Sequence, residues 1–122
     1  MLSPRDLKVR FRDLPHQECH GQGMGGNVFG DDDTGLNMWH VLAEPGSRLE
    51  PHSHPCDEIY CLIAGKGMLL IDDREIRFEE GEAFFIPGHV SHGFINDGES
   101  VCQILAFSYL EVPAPHKLAN GR

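Results

Sequence analysis

The stretch Gly46-Ser-Arg-Leu-Glu-Pro-His52-Ser-His54-Pro-Cys-Asp-Glu58 carries the strongest structural signal in this chain. Side chains two residues apart on a β-strand point to the same face, so His52 and His54 are expected to lie side by side. Glu58 follows a turn that can return its carboxylate to them, and a later stretch supplies His92. Three imidazole nitrogens and one carboxylate oxygen suit a divalent transition metal. On an octahedral ion they would leave positions open for substrate or water.

The composition is that of one soluble domain. The chain has 122 residues, of which 24% are charged and 40% hydrophobic, within the usual range for globular proteins. A net charge of −9 argues against nucleic acids and anionic membrane surfaces as partners. The apolar runs are too short to span a membrane and no signal peptide is recognisable, so the sequence predicts a cytoplasmic protein. The four cysteines form no CxxC pair and are read as free thiols.

Turn residues recur every six to twelve positions, and no segment has a helical period. Many short strands at this spacing predict an all-β sandwich or barrel. The predicted strands are Asn37–Glu44, Arg48–His54, Glu58–Ala64, Met68–Ile71, Glu75–Phe78, Ala83–Ile86, Ser91–Asn96 and Val101–Leu110, with a hairpin turn at Asp72-Asp73.

The two ends of the chain have weaker patterns. Residues 1–35 are predicted to form an arm, with one strand near Leu7–Phe11, that packs on the barrel or on a partner subunit. The run Gly21-Gln-Gly-Met-Gly-Gly26 fits GxGxxG, but turn residues rather than a helix follow it, so it is not read as a dinucleotide site. Asp31–Asp33 are read as a loop tip, and residues 113–122 as a C-terminal tail.

The first histidine-containing stretch resembles the first motif of the cupins. That motif reads glycine, five residues, His-x-His, three or four residues, glutamate, six residues and glycine. Every spacing is met here by Gly46, His52, His54, Glu58 and Gly65.

The second stretch resembles the second cupin motif, which reads glycine, five residues, Pro-x-Gly, two residues, histidine, three residues and asparagine. Gly81, Pro87, His92 and Asn96 fit, whereas His89 replaces the glycine of Pro-x-Gly. That glycine shapes a turn before the last ligand, and histidine tolerates a positive φ better than most residues.

The resemblance implies a cupin jelly-roll β-barrel, also described as a double-stranded β-helix, over residues 36–112. It implies that His52, His54, Glu58 and His92 bind one Mn, Fe, Ni, Co or Zn ion per chain. The alternation within the strands agrees, because the ligands share their faces with Tyr60 and other residues that would line the barrel. Small cupins form dimers, so a homodimer is expected. The opposite faces, with Ile59, Cys61 and Ile63, suit a second packed layer.

Several other residues have two interpretations each. His40 faces either the barrel, as an acid/base or substrate contact, or the outside. Tyr60 either donates a proton or hydrogen bond to substrate or packs in the core. Cys56 is either a turn residue or a redox-sensitive neighbour of the ligands, and His89 could line the entrance. The remaining histidines, predicted to lie on the surface, are His16, His20 and His116.

The resemblance leaves two classes of function open. One is a metal-dependent enzyme acting on a small, oxygen-rich chelating molecule, by dioxygenase or by isomerase and lyase chemistry. The other is a non-catalytic module that binds or senses a small molecule. The complete set of four metal ligands and the possible proton donors nearby favour the enzyme, whereas the short chain favours the binding module.

Overall fold

A computed structural model describes residues 8–30 and 35–109. Within these residues, ten strands form two antiparallel sheets, one of six and one of four strands. The strands are β1 (Gln17–Cys19), β2 (Gly23–Gly30), β3 (Leu36–Ala43), β4 (Arg48–His52), β5 (Glu58–Ala64), β6 (Lys66–Ile71), β7 (Arg74–Glu79), β8 (Ala83–Ile86), β9 (His92–Ile95) and β10 (Cys102–Tyr109).

The strand order is β1-β2-β3-β10-β5-β8 in the larger sheet and β4-β9-β6-β7 in the smaller one. The chain crosses repeatedly between the sheets, as in a jelly roll. The inward faces pack into one core, whose fully buried large side chains include Leu62, Leu69, Phe78, Phe94 and Ile104. The all-β barrel predicted from the sequence is therefore confirmed.

The predicted strands from Asn37 onward match the observed ones to within two residues at each described end. The hairpin turn at Asp72-Asp73 is present: Ile71 pairs with Arg74, and Asp72 has a φ of 52°. His89 takes a φ of 69°, so it adopts the left-handed conformation expected at the position of the missing motif glycine.

The strand β2 is not predicted by the sequence, because it is rich in glycine and the residues that follow it have the composition of turns. Gly23 and Gly25 lie on the inner face, where a side chain has no room. A Cβ at Gly23 would overlap the Leu49 side chain, and one at Gly25 would lie 2.9 Å from the Cys19 sulfur. The glycines therefore make space for residues of the barrel interior, and a strand rather than a phosphate-binding turn follows Gly21.

The strand predicted near Leu7–Phe11 is wrong over its described part. Residues 8–10 have no regular structure, and a short 3-10 helix covers Phe11–Asp13. The Phe11 ring stacks on the outer face of the larger sheet, 4.5 Å from the ring of His40. For Phe11, therefore, the apolar side chain serves this packing and not strand pairing. Leu7, Asp31–Asp33, His116 and residues 113–122 lie outside the described residues.

The second packed layer predicted over Ile59, Cys61 and Ile63 is absent from the described part of the chain. Ile59 and Ile63 are 41% and 38% exposed, and Cys61 is half-buried rather than a core residue. On the outer face, Phe107, Ile59 and Phe85 stand in register across three neighbouring strands. The larger sheet thus presents an apolar row on its outside.

His40 faces this outer side and not the barrel interior. It is 2% exposed, with Nδ1 2.8 Å from Nε2 of His16 and Nε2 2.9 Å from Oε1 of Gln103. Of the two interpretations left by the sequence, the outward one is correct. The ring lies on the far side of the sheet from the cavity described below, so His40 cannot have the predicted catalytic role of contacting a molecule in that cavity.

Burial lowers the pKa of His40 below 6.5, and the nearby His16 adds to this against the opposing hydrogen bond to Gln103. The unfolded chain therefore takes up a proton at this residue at a higher pH than the folded one, and stability falls as the pH drops below about 6.5. We expect the melting temperature of the metal-free protein to fall from pH 7.5 to 5, and a His40→Asn variant to show a smaller fall. Equal falls would contradict this account.

Candidate metal centre and its cavity

The four predicted ligands come together at one end of the barrel interior. His52 ends β4, and His92 begins the neighbouring β9, where the two residues face each other in register. His54 follows β4, and Glu58 opens β5 on the opposite sheet. One donor atom from each residue lies within 4.8 Å of the other three. Donors on one ion at about 2.1 Å lie no more than about 4.2 Å apart, so a small inward shift of these side chains would bring all four donors onto one metal ion.

All three histidines are held in the same orientation by main-chain carbonyl groups. The Nδ1 atoms of His52, His54 and His92 lie 3.1, 3.0 and 2.8 Å from the carbonyl oxygens of Glu50, Cys56 and Val90, respectively. Donation from Nδ1 leaves each Nε2 unprotonated. Hydrogen bonds of this kind fix the ring and its tautomer in known metal sites.

His92 shows most clearly that a cation belongs between these groups. Its ring is fully buried, and among the described residues no donor reaches its Nε2 atom. The same atom lies 3.1 Å from Oε1 of Glu58. A lone pair facing a carboxylate oxygen in a buried site is unfavourable without a proton or a metal ion between them. The donor set therefore fits a divalent ion.

The pKa values of the candidate ligands reflect their burial and their closeness to one another. Burial is the main cause that lowers the pKa of His52 to about 4. Burial raises the pKa of Glu58, but the neighbouring imidazoles of His92 and His54 lower it by more, so it stays ionised. For His92 burial lowers the pKa, yet the adjacent Glu58 carboxylate and the Val90 carbonyl raise it overall.

His20 is exposed, as predicted, and it also belongs to this site. Its ring is exposed on one side and stacks on His52, with ring centroids 3.6 Å apart and planes 3° from parallel. It sits in the β1–β2 turn with a φ of 48°. The turn is bonded to β4 through Glu50 N–H to the His20 carbonyl, at 2.6 Å. No spacing in the sequence links His20 to the ligands, because the link is a tertiary contact.

We expect His20 to act as a positioning residue for His52. A His20→Ala variant should bind metal about two- to fivefold more weakly, since one aromatic contact at an exposed edge is lost. His20→Phe keeps a flat ring without a ligand nitrogen and should retain most of the affinity. Titration calorimetry with Mn²⁺ compares the metal affinity of the wild type with that of the two variants. Equal weakening in both variants would mean that the ring does not act by stacking.

A cavity of about 310 Å³ opens beside the four ligands. Its walls toward the barrel centre are apolar and consist of Trp39, Val41, Leu49, Tyr60, Ile104 and Ala106. Toward the rim it is lined by Cys19, His20, Asn37, Cys56 and Ser108. The cavity is at the small end of the range for ligand sites.

Two further predicted residues lie in or beside this cavity. No hydrogen bond joins the Tyr60 hydroxyl to another described residue, and burial raises its pKa, so it is a proton-bearing donor beside the ligands. Cys56 places its sulfur 3.3 Å from Nδ1 of His54. His89 is exposed and is not among the residues that line the cavity.

Asn96 of the second motif has a structural role and does not reach the candidate metal centre. It is fully buried, and its amide donates to the carbonyl oxygens of Ala43 and Ser100, both at 2.8 Å. Its own oxygen accepts from the Gly98 N–H. These bonds fix the turn that follows β9 and thereby the end of the strand that carries His92.

The model of the cupin domain family matches residues 39–108 of this chain. The protein is a cupin. A solved structure described as a predicted oxalate decarboxylase from Thermotoga maritima is similar, with a TM-score of 0.77 and 18% identity over 85% of this cupin and 99% of that chain. At that identity the likeness shows the fold alone.

Two curated proteins match this cupin in sequence. Dimethylsulfoniopropionate lyase DddW of Ruegeria pomeroyi is 35% identical over 65 residues, 53% of this chain and 40% of the lyase. A 1-hydroxy-2-naphthoate 1,2-dioxygenase of Nocardioides is 27% identical over 79 residues, 65% of this chain and 20% of that protein. The cupin therefore spans less than half the length of either relative. Within its described part, no helix has the length and apolar character needed to cross a membrane.

Proposed function

We propose that this cupin is a metal-dependent enzyme that acts on a small molecule able to chelate the metal through two oxygen atoms. The observation that carries the proposal is that Nδ1 of His52, His54 and His92 is held by a main-chain carbonyl in each case, while one donor atom from each of the three gathers beside Glu58. Four protein ligands leave positions for a chelating substrate on an octahedral ion.

A divalent metal held by these four residues would act as a Lewis acid on a substrate oxygen or, with iron, permit dioxygen chemistry. The chain itself contributes three effects. The apolar walls exclude water, Glu58 limits the positive charge of the site, and the Tyr60 hydroxyl is placed to donate a hydrogen bond or a proton to the bound molecule. The lyase and the dioxygenase among its relatives support an enzyme of either reaction type. The donor set suits Mn, Fe, Co, Ni and Zn alike.

The test is turnover by protein loaded separately with Mn²⁺, Fe²⁺ or Zn²⁺. A set of hydroxy acids, oxo acids and ortho-hydroxyaryl carboxylates is offered with and without dioxygen, and consumption is followed by NMR. Oxygen-dependent loss identifies a dioxygenase, whereas loss in both conditions identifies a lyase or isomerase. Tyr60→Phe should lower kcat by about 10²-fold if the hydroxyl transfers a proton. Absence of any turnover would overturn the proposal.

A non-catalytic binding or sensing module is the second candidate. A match to the auxin-binding protein T85 of Nicotiana tabacum, 28% identical over 74 residues, favours it. Under this function the metal-loaded protein binds a chelating ligand and releases it unchanged. Recovery of the intact ligand after long incubation separates this candidate from the enzyme.

We further propose that this cupin forms a homodimer through the outer face of the larger sheet and that it resides in the cytoplasm. The row Phe107–Ile59–Phe85 supports the dimer, because Ile59 and Phe85 are 41% and 56% exposed and a large apolar patch marks an interaction site. Light scattering at micromolar concentration should give twice the chain mass, and Phe85→Glu should give the monomer. A monomeric wild type would contradict the dimer.

A further inference from the structure

The cavity wall opposite His52 and His92 is arranged in layers that follow the strand register. Nearest the rim, Asn37 pairs with Ser108, which pairs in turn with Glu58. One step deeper, Trp39 pairs with Ala106, and Ala106 with Tyr60. Side chains of such cross-strand neighbours lie about 5 Å apart on one face.

The second layer forms a slot, because a methyl group stands between two aromatic rings. Trp39 is fixed by its indole N–H, which donates to Oδ1 of Asn37 at 3.1 Å. Tyr60 is fixed by burial and by an edge contact with His92, with ring centroids 5.6 Å apart. Behind the slot, Val41 and Ile104 close the floor with apolar surface. A compact, apolar group fits over Ala106.

The cavity is small and has few charged groups. Among the described residues no lysine or arginine lines it. Arg48, on the strand that carries His52, is paired with Glu50 at 2.7 Å. A divalent ion balanced by the single Glu58 carboxylate leaves one net positive charge. The chain as a whole carries −9, so the surrounding field opposes a second negative charge on a ligand.

We infer that the substrate or ligand of this site is a singly charged anion that chelates the metal with two oxygens and places an uncharged, apolar body over Ala106 between Trp39 and Tyr60. The inference rests on the proposed metal site and adds the charge and shape of the molecule. A molecule whose second negative charge lies away from the metal, such as a longer dicarboxylate or a phosphorylated sugar, is excluded, because that charge would meet apolar walls without a cation to pair with it.

Two 2-oxo acids of similar size test the charge rule. 2-Oxo-4-methylpentanoate and 2-oxoglutarate share the same chelating head, but the first ends in an apolar branch and the second in a carboxylate. Calorimetric titration into Mn²⁺-loaded protein should give at least about tenfold tighter binding of the first. 4-Methylpentanoate, which lacks the oxo oxygen, should bind more weakly than its 2-oxo analogue. Equal or tighter binding of 2-oxoglutarate, or no binding of either oxo acid, would overturn the inference.

Ala106 tests the position of the apolar body. Ala106→Leu should fill the slot, leave the bound metal unchanged and weaken 2-oxo-4-methylpentanoate about tenfold or more. If Ala106→Leu destabilises the barrel, Ala106→Val is the milder second variant. Circular dichroism and a measurement of metal content establish that each variant is folded and holds the metal. Wild-type affinity in a folded, loaded variant would contradict the assigned slot. Because only binding is measured, absence of turnover would count against the proposed enzyme and leave this inference intact.

Discussion

His92→Ala should lower the affinity for Mn²⁺ or Zn²⁺ by more than about a hundredfold, since loss of a group that only orients a ligand already costs 10–100-fold. The ring is fully buried, with Nε2 directed at Glu58 and Nδ1 held by Val90, so no surface side chain can take its place. Metal content after purification without chelator, followed by competition with a chelating dye, measures the effect.

His89→Asn provides the matched control. It removes a histidine only three positions away, at an exposed site where the φ of 69° suits asparagine. Its metal affinity should equal that of the wild type. Glu58→Gln keeps the size of the fourth ligand but removes its charge, and it should weaken binding less than His92→Ala. Stoichiometric metal in His92→Ala would show that the ion does not bind at this cluster.

Gly67→Ala should destabilise the fold by about 3 kcal/mol, at the upper end of the usual cost of overpacking. A Cβ at this position would overlap the carbonyl oxygen of Ile95 and the ring of Phe94. The Phe94 ring is fully buried and the Ile95 oxygen belongs to the main chain, so neither can move aside at little cost. Thermal unfolding should show a melting temperature about 10 °C lower.

Gly98→Ala serves as the control for this prediction. The nearest atoms to a Cβ at Gly98 are 3.5 Å away, which is ordinary contact. We expect its stability to change by less than about 0.5 kcal/mol. A melting temperature for Gly67→Ala within a degree or two of that for Gly98→Ala would mean that β6 and β9 can separate more easily than their packing indicates.

The fold and the clustering of the four candidate ligands could be predicted because both depend on two short motifs and on the spacing of turn residues. Two histidines on one strand face and a glutamate after a tight turn are a local arrangement, and regularly spaced turn residues mark the strands that carry them. The metal site itself stays a prediction, supported by the way the structure brings His52, His54, Glu58 and His92 together.

The parts that could not be predicted depend on contacts between distant segments. The glycines of β2 signal a turn by composition, yet they are required because Leu49 and the Cys19 sulfur occupy the space beside them. The direction of His40 is set by His16 and Phe11, more than 20 residues earlier in the chain. Likewise, His20 reaches His52 only because the β1–β2 turn pairs with β4.

That pairing has a practical consequence for how the protein is handled. The region that defines the family begins at residue 39, but the hairpin β1–β2 supplies the ring on His52 and the main-chain bonds that join the edge of one sheet to the other. An expression fragment that begins at residue 39 would lack the β1–β2 hairpin. The candidate metal centre would then be exposed to water on the side of the barrel that this hairpin covers. The residues before the family match therefore belong to the candidate site, and a domain boundary drawn from the motifs alone would cut through it.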